Sequence, residues 1–487
     1  MSRYAFYFDS SGCSGCKACQ VACKDRNGLE VGLLWRRVYE VSGGSWERQG
    51  EAWQQDVYAY NLSVACNHCE RAVCAEACPT QAIQQREDGI VLIEAQRCIG
   101  CKYCSWACPY GAPQYDWRTK SMTKCTFCVE DVEAGLAPAC VSACPLRVLD
   151  FGDQAELEQG QAIRSVAPLP EGEMTGPAMF IQPHRDASRA EQPPGRVANR
   201  EEVQTGKKTS ELPLVIFTVL AQMAVGAFIV LGAFIGWALS LLGTELDLPM
   251  PPPGPLLIMS VIFVYGVLVS LLHLGHPFRA YRALANLRTS WLSREILSVG
   301  LFGAGLVVFL FISPTFTSLL WVVYGLTALA GLALIYCMAR VYRLSNLPFW
   351  NSWRTTASFY LTAGLLGLLF CAMQSSRGLN SGFVLFVATP SDTLHNLIIS
   401  VAAVGLLLLA LDLALQGRRE TSKGKGFWLA QLQLALSVAA MLPLAVMLAG
   451  VRGDWSPTLF ALAFCLALGA QLISRWLFYE QLNERAL

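Results

Sequence analysis

The sequence predicts a cysteine-rich α+β domain followed by an all-α bundle of eight transmembrane helices. Two observations predict it. Sixteen of the nineteen cysteines lie between Cys13 and Cys144, and long apolar runs begin only after Leu212. Across 487 residues only 15% are charged, and the mean hydropathy of +0.39 is too apolar for an ordinary soluble protein. A net charge of +1 gives no global electrostatic case for nucleic acid as a partner. Met1 to Asp9 contains neither an apolar run nor a cleavage site, so a secreted disulfide domain is not expected. So many thiols in such a segment point to metal or cluster ligation.

The cysteines form four groups. Cys13, Cys16, Cys19 and Cys23 have two, two and three residues between them, a spacing repeated by Cys98, Cys101, Cys104 and Cys108. Cys66, Cys69, Cys74 and Cys78 are separated by two, four and three residues, and Cys125, Cys128, Cys140 and Cys144 by two, eleven and three. Pro79, Pro109 and Pro145 follow the last cysteine of three groups, whereas Lys24 follows it in the first. This is the bacterial ferredoxin run repeated four times. Three closely spaced thiolates grip one cube, and the fourth, on the following turn, ligates the other cluster of a pair. The expectation is a double ferredoxin-like module with four [4Fe–4S] clusters and all sixteen cysteines as iron ligands, arranged as a wire. Zinc held by two C-x2-C pairs is the competing reading, but zinc requires neither the third cysteine two residues on nor the proline after the fourth. His68, between Cys66 and Cys69, reads equally as a group tuning a cluster by hydrogen bonding and as a polar loop residue.

The cluster domain is expected over residues 1–150. Residues 151–210, with Pro168, Pro170, Pro177, Pro183, Pro193 and Pro194 and no sustained apolar period, read as an extended strap. The membrane domain then occupies 211–487. Its spans are expected near Leu212–Leu242, Pro255–Leu274, Ile296–Ile312, Ser318–Ala339, Thr355–Met373, Thr393–Leu415, Phe427–Ala449 and Pro457–Phe478. Loops on the side of the cluster domain carry Arg279, Arg282, Arg288, Arg340, Arg343, Arg354, Arg418, Arg419, Lys423 and Lys425. The opposite loops carry little beyond Arg377 and Arg452. The positive-inside rule therefore puts the cluster domain on the cytoplasmic face of the inner membrane.

The second span ends in Leu271-Leu272-His273-Leu274-Gly275-His276-Pro277, and the third begins near Arg294-Glu295. An ionisable residue at membrane depth is costly and is a functional candidate. A quinol gives up two protons with its two electrons. A histidine bonded to its ring and a carboxylate relaying its protons suit that task, so His273 and Glu295 are the candidate quinone site. The competing reading is interfacial anchoring: Arg279, Arg282 and Arg288 as lipid-headgroup or domain-docking charges, and His276 as a helix end. Haem is not expected, because His273 and His276 share one helix end and His395 begins a span on the other side. Cys337, Cys371 and Cys465 read as small core residues.

These residues also carry a family resemblance. The first 200 or so residues closely resemble the iron–sulfur subunit of the anaerobic dimethyl sulfoxide reductases. The matching pieces include Tyr7-Phe8-Asp9-Ser10-Ser11, Asn67-His68-Cys69-Glu70, Arg86-Glu87-Asp88-Gly89, Cys98-Ile99-Gly100-Cys101, Cys108-Pro109-Tyr110-Gly111-Ala112-Pro113-Gln114-Tyr115 and Cys144-Pro145-Leu146-Arg147. The remainder resembles that enzyme's membrane anchor, through Phe217-Thr218-Val219, Leu272-His273-Leu274-Gly275, Arg279-Ala280, Glu295-Ile296 and Arg340-Val341-Tyr342. Two subunits that are normally separate polypeptides are thus fused. The resemblance implies a molybdenum bis-pterin catalytic partner, an eight-span anchor without haem, menaquinone or another quinone as the membrane carrier, and functional roles for His273 and Glu295. It also implies a cluster pairing: Cys13, Cys16 and Cys19 with Cys144; Cys125, Cys128 and Cys140 with Cys23; Cys66, Cys69 and Cys74 with Cys108; Cys98, Cys101 and Cys104 with Cys78.

The reading that follows is the electron-transfer and quinone-reactive anchor subunit of a molybdopterin oxidoreductase complex, with substrate chemistry on the partner. Similar proteins serve sulfite dehydrogenases that reduce quinone, and the cytoplasmic orientation leans that way. A reading of another class is a cluster-driven ion translocator. It would need polar residues deep along a path between both faces, and Asp412 is the main one present.

Overall fold

The computed structural model describes residues 3–160, 162–189, 197–198, 211–242, 253–311, 317–377, 391–416, 425–449 and 456–485. It divides into two compact units. One combines Met1–Thr209 with Leu274–Ser290, and the other combines Ser210–His273 with Trp291–Ala486.

The first unit is built on short elements. Its strands are β1 (Tyr4–Asp9), β2 (Arg37–Gly43), β3 (Trp46–Gln49), β4 (Ala52–Gln55), β5 (Tyr58–Val64), β6 (Ile83–Gln85), β7 (Val91–Ile93), β8 (Gln114–Asp116), β9 (Ser121–Thr123), β10 (Leu149–Asp153), β11 (Met179–Gln182) and β12 (Val197–Ala198). Its helices are α1 (Ala18–Arg26), α2 (Val73–Ala77), α3 (Tyr103–Ala107), α4 (Val129–Glu133), α5 (Ala139–Ser142) and α6 (Gln154–Glu158). β1 is the centre of one sheet, antiparallel to β10 and parallel to β11, so that Phe6 faces both Phe151 and Met179. β2 lies between β12 and β5 in a second sheet, and three hairpins complete the unit. Phe6, Phe8, Leu62, Ile90, Phe127 and Ile181 pack into one core together with Cys23, Cys66, Cys125, Cys140 and Cys144. A smaller core joins Ile83, Val91 and Met122 to Cys74, Cys78, Cys98 and Cys104. These thiols therefore sit in the dry interior of the unit.

Two parts of this unit differ from the expectation. The stretch read as a strap from residue 151 supplies α6 and β11, and Met179, Phe180 and Ile181 are fully buried. The run Ala178-Met179-Phe180-Ile181 has the continuous apolar character of a strand covered on both faces, which the surrounding prolines obscure. The second difference is Leu274–Ser290, a loop between two membrane helices that packs as part of the cysteine-rich unit.

The second unit is helical: α7 (Leu212–Leu242), α8 (Pro253–Leu271), α9 (Trp291–Phe311), α10 (Thr317–Tyr342), α11 (Trp353–Arg377), α12 (Ser391–Gln416), α13 (Lys425–Leu448) and α14 (Ser456–Arg485). Among the described residues seven of these are long and apolar enough to cross a membrane, and α12 contributes the shorter apolar stretch Ile399–Leu415. α7 packs against α8, α10, α11 and α14. The loops carrying Arg418, Arg419, Lys423 and Arg452, and the side chain of His395, lie outside the described residues.

Candidate functional site

Each cysteine group wraps on itself through the same backbone device. The second residue between the first two cysteines takes a left-handed conformation in all four groups: Gly15 at φ +69°, His68 at +41°, Gly100 at +69° and Phe127 at +62°. Glycine adopts this freely, whereas His68 and Phe127 do so at a cost of roughly 1–2 kcal/mol. Backbone N–H groups point at the sulfurs in two of the groups: those of Gly100 and Met122 each lie 3.4 Å from Cys98 Sγ, and that of Phe127 lies 3.4 Å from Cys125 Sγ.

The third cysteine of the groups at Cys66 and Cys98 lies in a short helix, Cys74 in α2 and Cys104 in α3, and the fourth, Cys78 or Cys108, stands just past the helix end. That displacement sends it to the cysteines of the other group. Cys66, Cys69 and Cys74 line one cavity with Cys108. Cys13, Cys16 and Cys19 line a second with Cys144. Cys125, Cys128 and Cys140 line a third with Cys23. Cys78, Cys98, Cys101 and Cys104 interact electrostatically with one another as a fourth set. Among the described residues no three cysteine, histidine or acidic side chains converge as a single metal ion requires. Three quartets thus ring cavities, which suits a polynuclear iron–sulfide group better than zinc.

Burial pushes the Cys69 and Cys101 thiols up to about 12 and the Cys108 thiol up to about 11, with neighbouring cysteines adding to the effect. Thiolates are therefore costly here without a compensating cation. Two buried cations supply part of that compensation, and sequence reasoning did not single them out. Lys124, 2% exposed, lines the Cys66 cavity and interacts with Cys66, Cys74 and Cys125. Its Nζ donates to the carbonyls of Val91 and, at 3.1 Å, of Cys125. Arg36, 1% exposed, interacts with Cys19, Cys23, Cys125 and Cys140, donates to Ser63 Oγ at 3.2 Å and lies over the Phe6 ring at 4.7 Å. Each cation thus reaches cysteines of two quartets. The available signal was a cation beside the cysteines in an otherwise apolar sequence, most visibly Lys124 directly before Cys125.

His68 is buried, and its Nδ1 accepts the Val91 N–H at 3.0 Å while its ring meets Phe127 edge-on. Burial, followed by Lys124 and Arg36, holds its pKa well below the usual histidine value, so the ring is neutral and serves as a buried acceptor.

The Leu274–Ser290 loop grips the segment carrying Cys78 and Cys98. Asn286 Nδ2 donates to the Cys78 carbonyl at 2.9 Å, and its backbone N–H donates to the Pro79 carbonyl at 3.1 Å. Thr289 and Ser290 hydroxyls donate to the carbonyls of Glu76 and Ala77, each at 2.8 Å. Those carbonyls at the end of α2 would otherwise lack partners. The His276 N–H donates to the Ile99 carbonyl at 3.1 Å, and its Nε2 lies 3.1 Å from the Thr119 carbonyl. Gly275 passes so close to the Lys120 carbonyl that a Cβ would collide with it. Arg279 and Arg282 both donate to the Gln96 carbonyl, at 3.4 and 2.7 Å, which makes them docking charges within this unit. His276 does more than end a helix.

In the helical unit, His273 follows α8 and is half-buried, and its Nδ1 bonds the Ser270 carbonyl. A carbonyl only accepts, so this contact calls for a proton on Nδ1. Glu295 lies in the second turn of α9, which starts at Trp291, earlier than expected. Glu295 is consequently buried, at 4% exposed. α8 and α9 pack against each other.

Comparison with known proteins gives two matches along the sequence. The profile of the DMSO reductase anchor subunit (DmsC) matches residues 205–481, and that of a 4Fe-4S dicluster domain matches residues 57–154. One of the polypeptides of the anaerobic dimethyl sulfoxide reductase of Escherichia coli is 45% identical over 203 residues, covering 42% of this protein and 99% of the relative. A tetrathionate reductase subunit from Salmonella typhimurium is 44% identical over 144 residues, or 29% of this protein and 54% of the relative. A sulfite dehydrogenase subunit from Allochromatium vinosum is 38% identical over 167 residues, covering 31% and 70%.

Proposed function

Because this protein belongs to the DMSO reductase anchor subunit family and carries an iron–sulfur subunit in the same polypeptide, we propose that it conducts electrons through four [4Fe–4S] clusters between a molybdenum bis-pterin catalytic subunit and the quinone pool. At the coarser level it is an iron–sulfur electron-transfer subunit with a multi-pass membrane anchor, part of a dimethyl sulfoxide reductase-like complex. The observation that carries the finer reading is the crossing of cysteines between groups, with Cys144 joining Cys13, Cys16 and Cys19, and Cys108 joining Cys66, Cys69 and Cys74. Crossing of this kind belongs to paired ferredoxin cubes. When bound, the clusters supply one-electron transfer. The polypeptide supplies sixteen thiolates, N–H donors to the sulfurs and the cations Lys124 and Arg36.

His273 accepts a quinol hydroxyl at Nε2, and Glu295 takes the proton that leaves with it. The same two groups return protons when quinone is reduced. Fusion fixes the iron–sulfur and anchor parts at one to one. The basic residues of the loops on the side of the cluster domain favour the cytoplasmic face of the inner membrane. That orientation favours, as a second reading, the direction of a sulfite dehydrogenase, with electrons flowing to quinone.

Two measurements test the proposal. Purified protein should contain about sixteen iron atoms and as many sulfides per polypeptide, four of each for every cluster; zinc in their place refutes the wire. His273→Ala and Glu295→Gln should each remove quinone-linked turnover of the complex and leave activity with an artificial dye intact. Parallel loss of both activities refutes the quinone site.

A further inference from the structure

Two of the cysteine quartets are neighbours. Cys19 and Cys23 lie one turn apart on α1, and Cys140 lies on α5 with Cys144 just past its end, so the quartet of Cys19 and Cys144 adjoins that of Cys23 and Cys140. Arg36 stands between them. It precedes β2, whose register sets Arg37 opposite Val64 and Val38 opposite Ser63 on β5. The side chain reaches Ser63 across this ladder, and both residues are 1% exposed. Arg36 Nη1 donates to Ser63 Oγ at 3.2 Å and to the Ser63 carbonyl at 3.4 Å. Arginine only donates, so Ser63 Oγ accepts there, and its own hydrogen is left for the Cys19 sulfur, 3.4 Å away. A ligating thiolate has no proton and accepts it. The other edge of the guanidinium is differently placed. Nε and Nη2 are buried with no hydrogen-bond partner among the described residues, and Arg36 lines the cavity of Cys23, Cys125, Cys128 and Cys140. These two N–H groups share one edge of a planar fork, the arrangement that grips two acceptors at once. The Phe6 ring lines the same cavity and lies 4.7 Å from the guanidinium, which fixes its plane. A buried guanidinium edge without acceptors is costly, and sulfur is the acceptor that four cysteines bring to this cavity.

We propose that Arg36 and Ser63 form a hydrogen-bonded bridge that sets the potentials of two neighbouring clusters together. The Nε/Nη2 edge of Arg36 donates to sulfur in the cavity of Cys23, and Nη1 acts through Ser63 Oγ on Cys19, a ligand of the adjoining quartet. The inference rests on the iron–sulfur reading of these quartets. Reduction adds one electron to a cluster and breaks no bond, and Arg36 and Ser63 keep their protons throughout. Hydrogen bonds and positive charge directed at cluster sulfur favour the reduced state. One cation therefore raises both potentials, directly at the quartet of Cys23 and through a neutral hydroxyl at the quartet of Cys19. Ser63 is a positioning residue that carries the effect of Arg36 from one to the other. The two branches can be cut separately, because the Ser63 carbonyl holds Nη1 whatever side chain stands at that position.

The test uses the assembled complex, with each cluster's potential read by electron paramagnetic resonance during redox titration. Cys16→Ser and Cys128→Ser, each altering one cluster, assign the signals. Ser63→Ala removes the hydroxyl and little volume. At a fixed potential it should lower the reduced-to-oxidised ratio of the cluster on Cys19 by about threefold or more and leave the cluster on Cys23 at its parental value. Arg36→Met should lower both, with a fall of about tenfold or more at the cluster on Cys23, equivalent to about 59 mV for one electron. Should Arg36→Met fail to assemble, parental protein labelled with nitrogen-15 in its arginine guanidinium groups decides. Pulsed resonance of the reduced cluster on Cys23 should then show a nitrogen-15 coupling. Parental potentials in Ser63→Ala, equal falls at both clusters in that variant, a fall at one cluster alone in Arg36→Met, or no nitrogen-15 coupling overturns the bridge. If the parental complex itself shows no iron–sulfur resonance, the cluster reading has failed; if its resonances are present and the substitutions leave them unmoved, only the bridge has.

Discussion

Replacing Lys124 with methionine removes a buried positive charge and keeps the length and most of the volume of the side chain. The ammonium lines the cavity of Cys66, Cys69, Cys74 and Cys108 and interacts with Cys66 and Cys74. A cluster held there would gain a negative charge on reduction, so the cation favours the reduced state. Taking a separation of about 5 Å and an effective dielectric of about 20, Coulomb's law gives roughly 3 kcal/mol for the added electron. At about 59 mV per 1.4 kcal/mol for a one-electron couple, this corresponds to a fall in potential on the order of 100 mV. A smaller fall is expected at the neighbouring quartet, which Lys124 reaches through Cys125. Potentiometric titration of the assembled complex, followed by electron paramagnetic resonance, resolves shifts of this size. Lys124→Arg should stay near the parental potential. A rise in potential, or no change in any cluster, refutes the charge argument. The substitution also leaves the carbonyls of Val91 and Cys125 without this donor, which should cost about 1–3 kcal/mol of stability.

Other outcomes follow from the same geometry. Asn286→Ala deletes the bond to the Cys78 carbonyl and should selectively broaden or abolish the resonance signal of one cluster, with the other three retained; four unchanged signals would show the loop to be dispensable there. His68→Ala leaves the Val91 N–H unpaired and should lower the unfolding free energy of the cysteine-rich unit by about 1–3 kcal/mol in denaturant titrations. His68 is neutral in the fold and protonatable once unfolded, so stability is full above about pH 6.5 and falls as pH drops below it. His68→Gln should flatten that acid limb, and an identical pH profile in the variant would remove His68 as its source. Since burial pushes the Cys23, Cys69 and Cys101 thiols up to about 12, iron must displace protons, and reconstitution should load more iron at about pH 8.5 than at about pH 6.5 in equilibrium iron assays.

The cysteine groups were legible in the sequence because ligation demands one residue type at short fixed separations, and the membrane helices because a bilayer demands unbroken apolar length. Lys124 and Arg36 were not, because what they reach is set by tertiary contacts: Lys124 bonds Val91, 33 residues away in sequence. The separation is larger still for Asn286, whose partner Cys78 is 208 residues away. β11 was hidden because its four residues are too few to establish a period beside so many prolines. The setting of Glu295 depended on the start of α9 at Trp291, since moving a helix start by one turn decides whether a carboxylate meets water or the interior. Asp412 stood out as an unusual charge, but its partner Gln471, 59 residues away on α14, became visible only in the folded bundle.

The loop Leu274–Ser290 also orders events at the ribosome. The last residues of the cysteine-rich unit are synthesised after α7 and α8, so this unit cannot finish folding until two hydrophobic hairpin arms have been threaded into lipid and the polypeptide has re-emerged beside its own beginning. Assembly of the proposed cluster nearest Asn286 would thereby be tied to membrane insertion. A nascent polypeptide arrested before residue 274 would present the Cys78 and Cys98 segments half-wrapped and open to solvent.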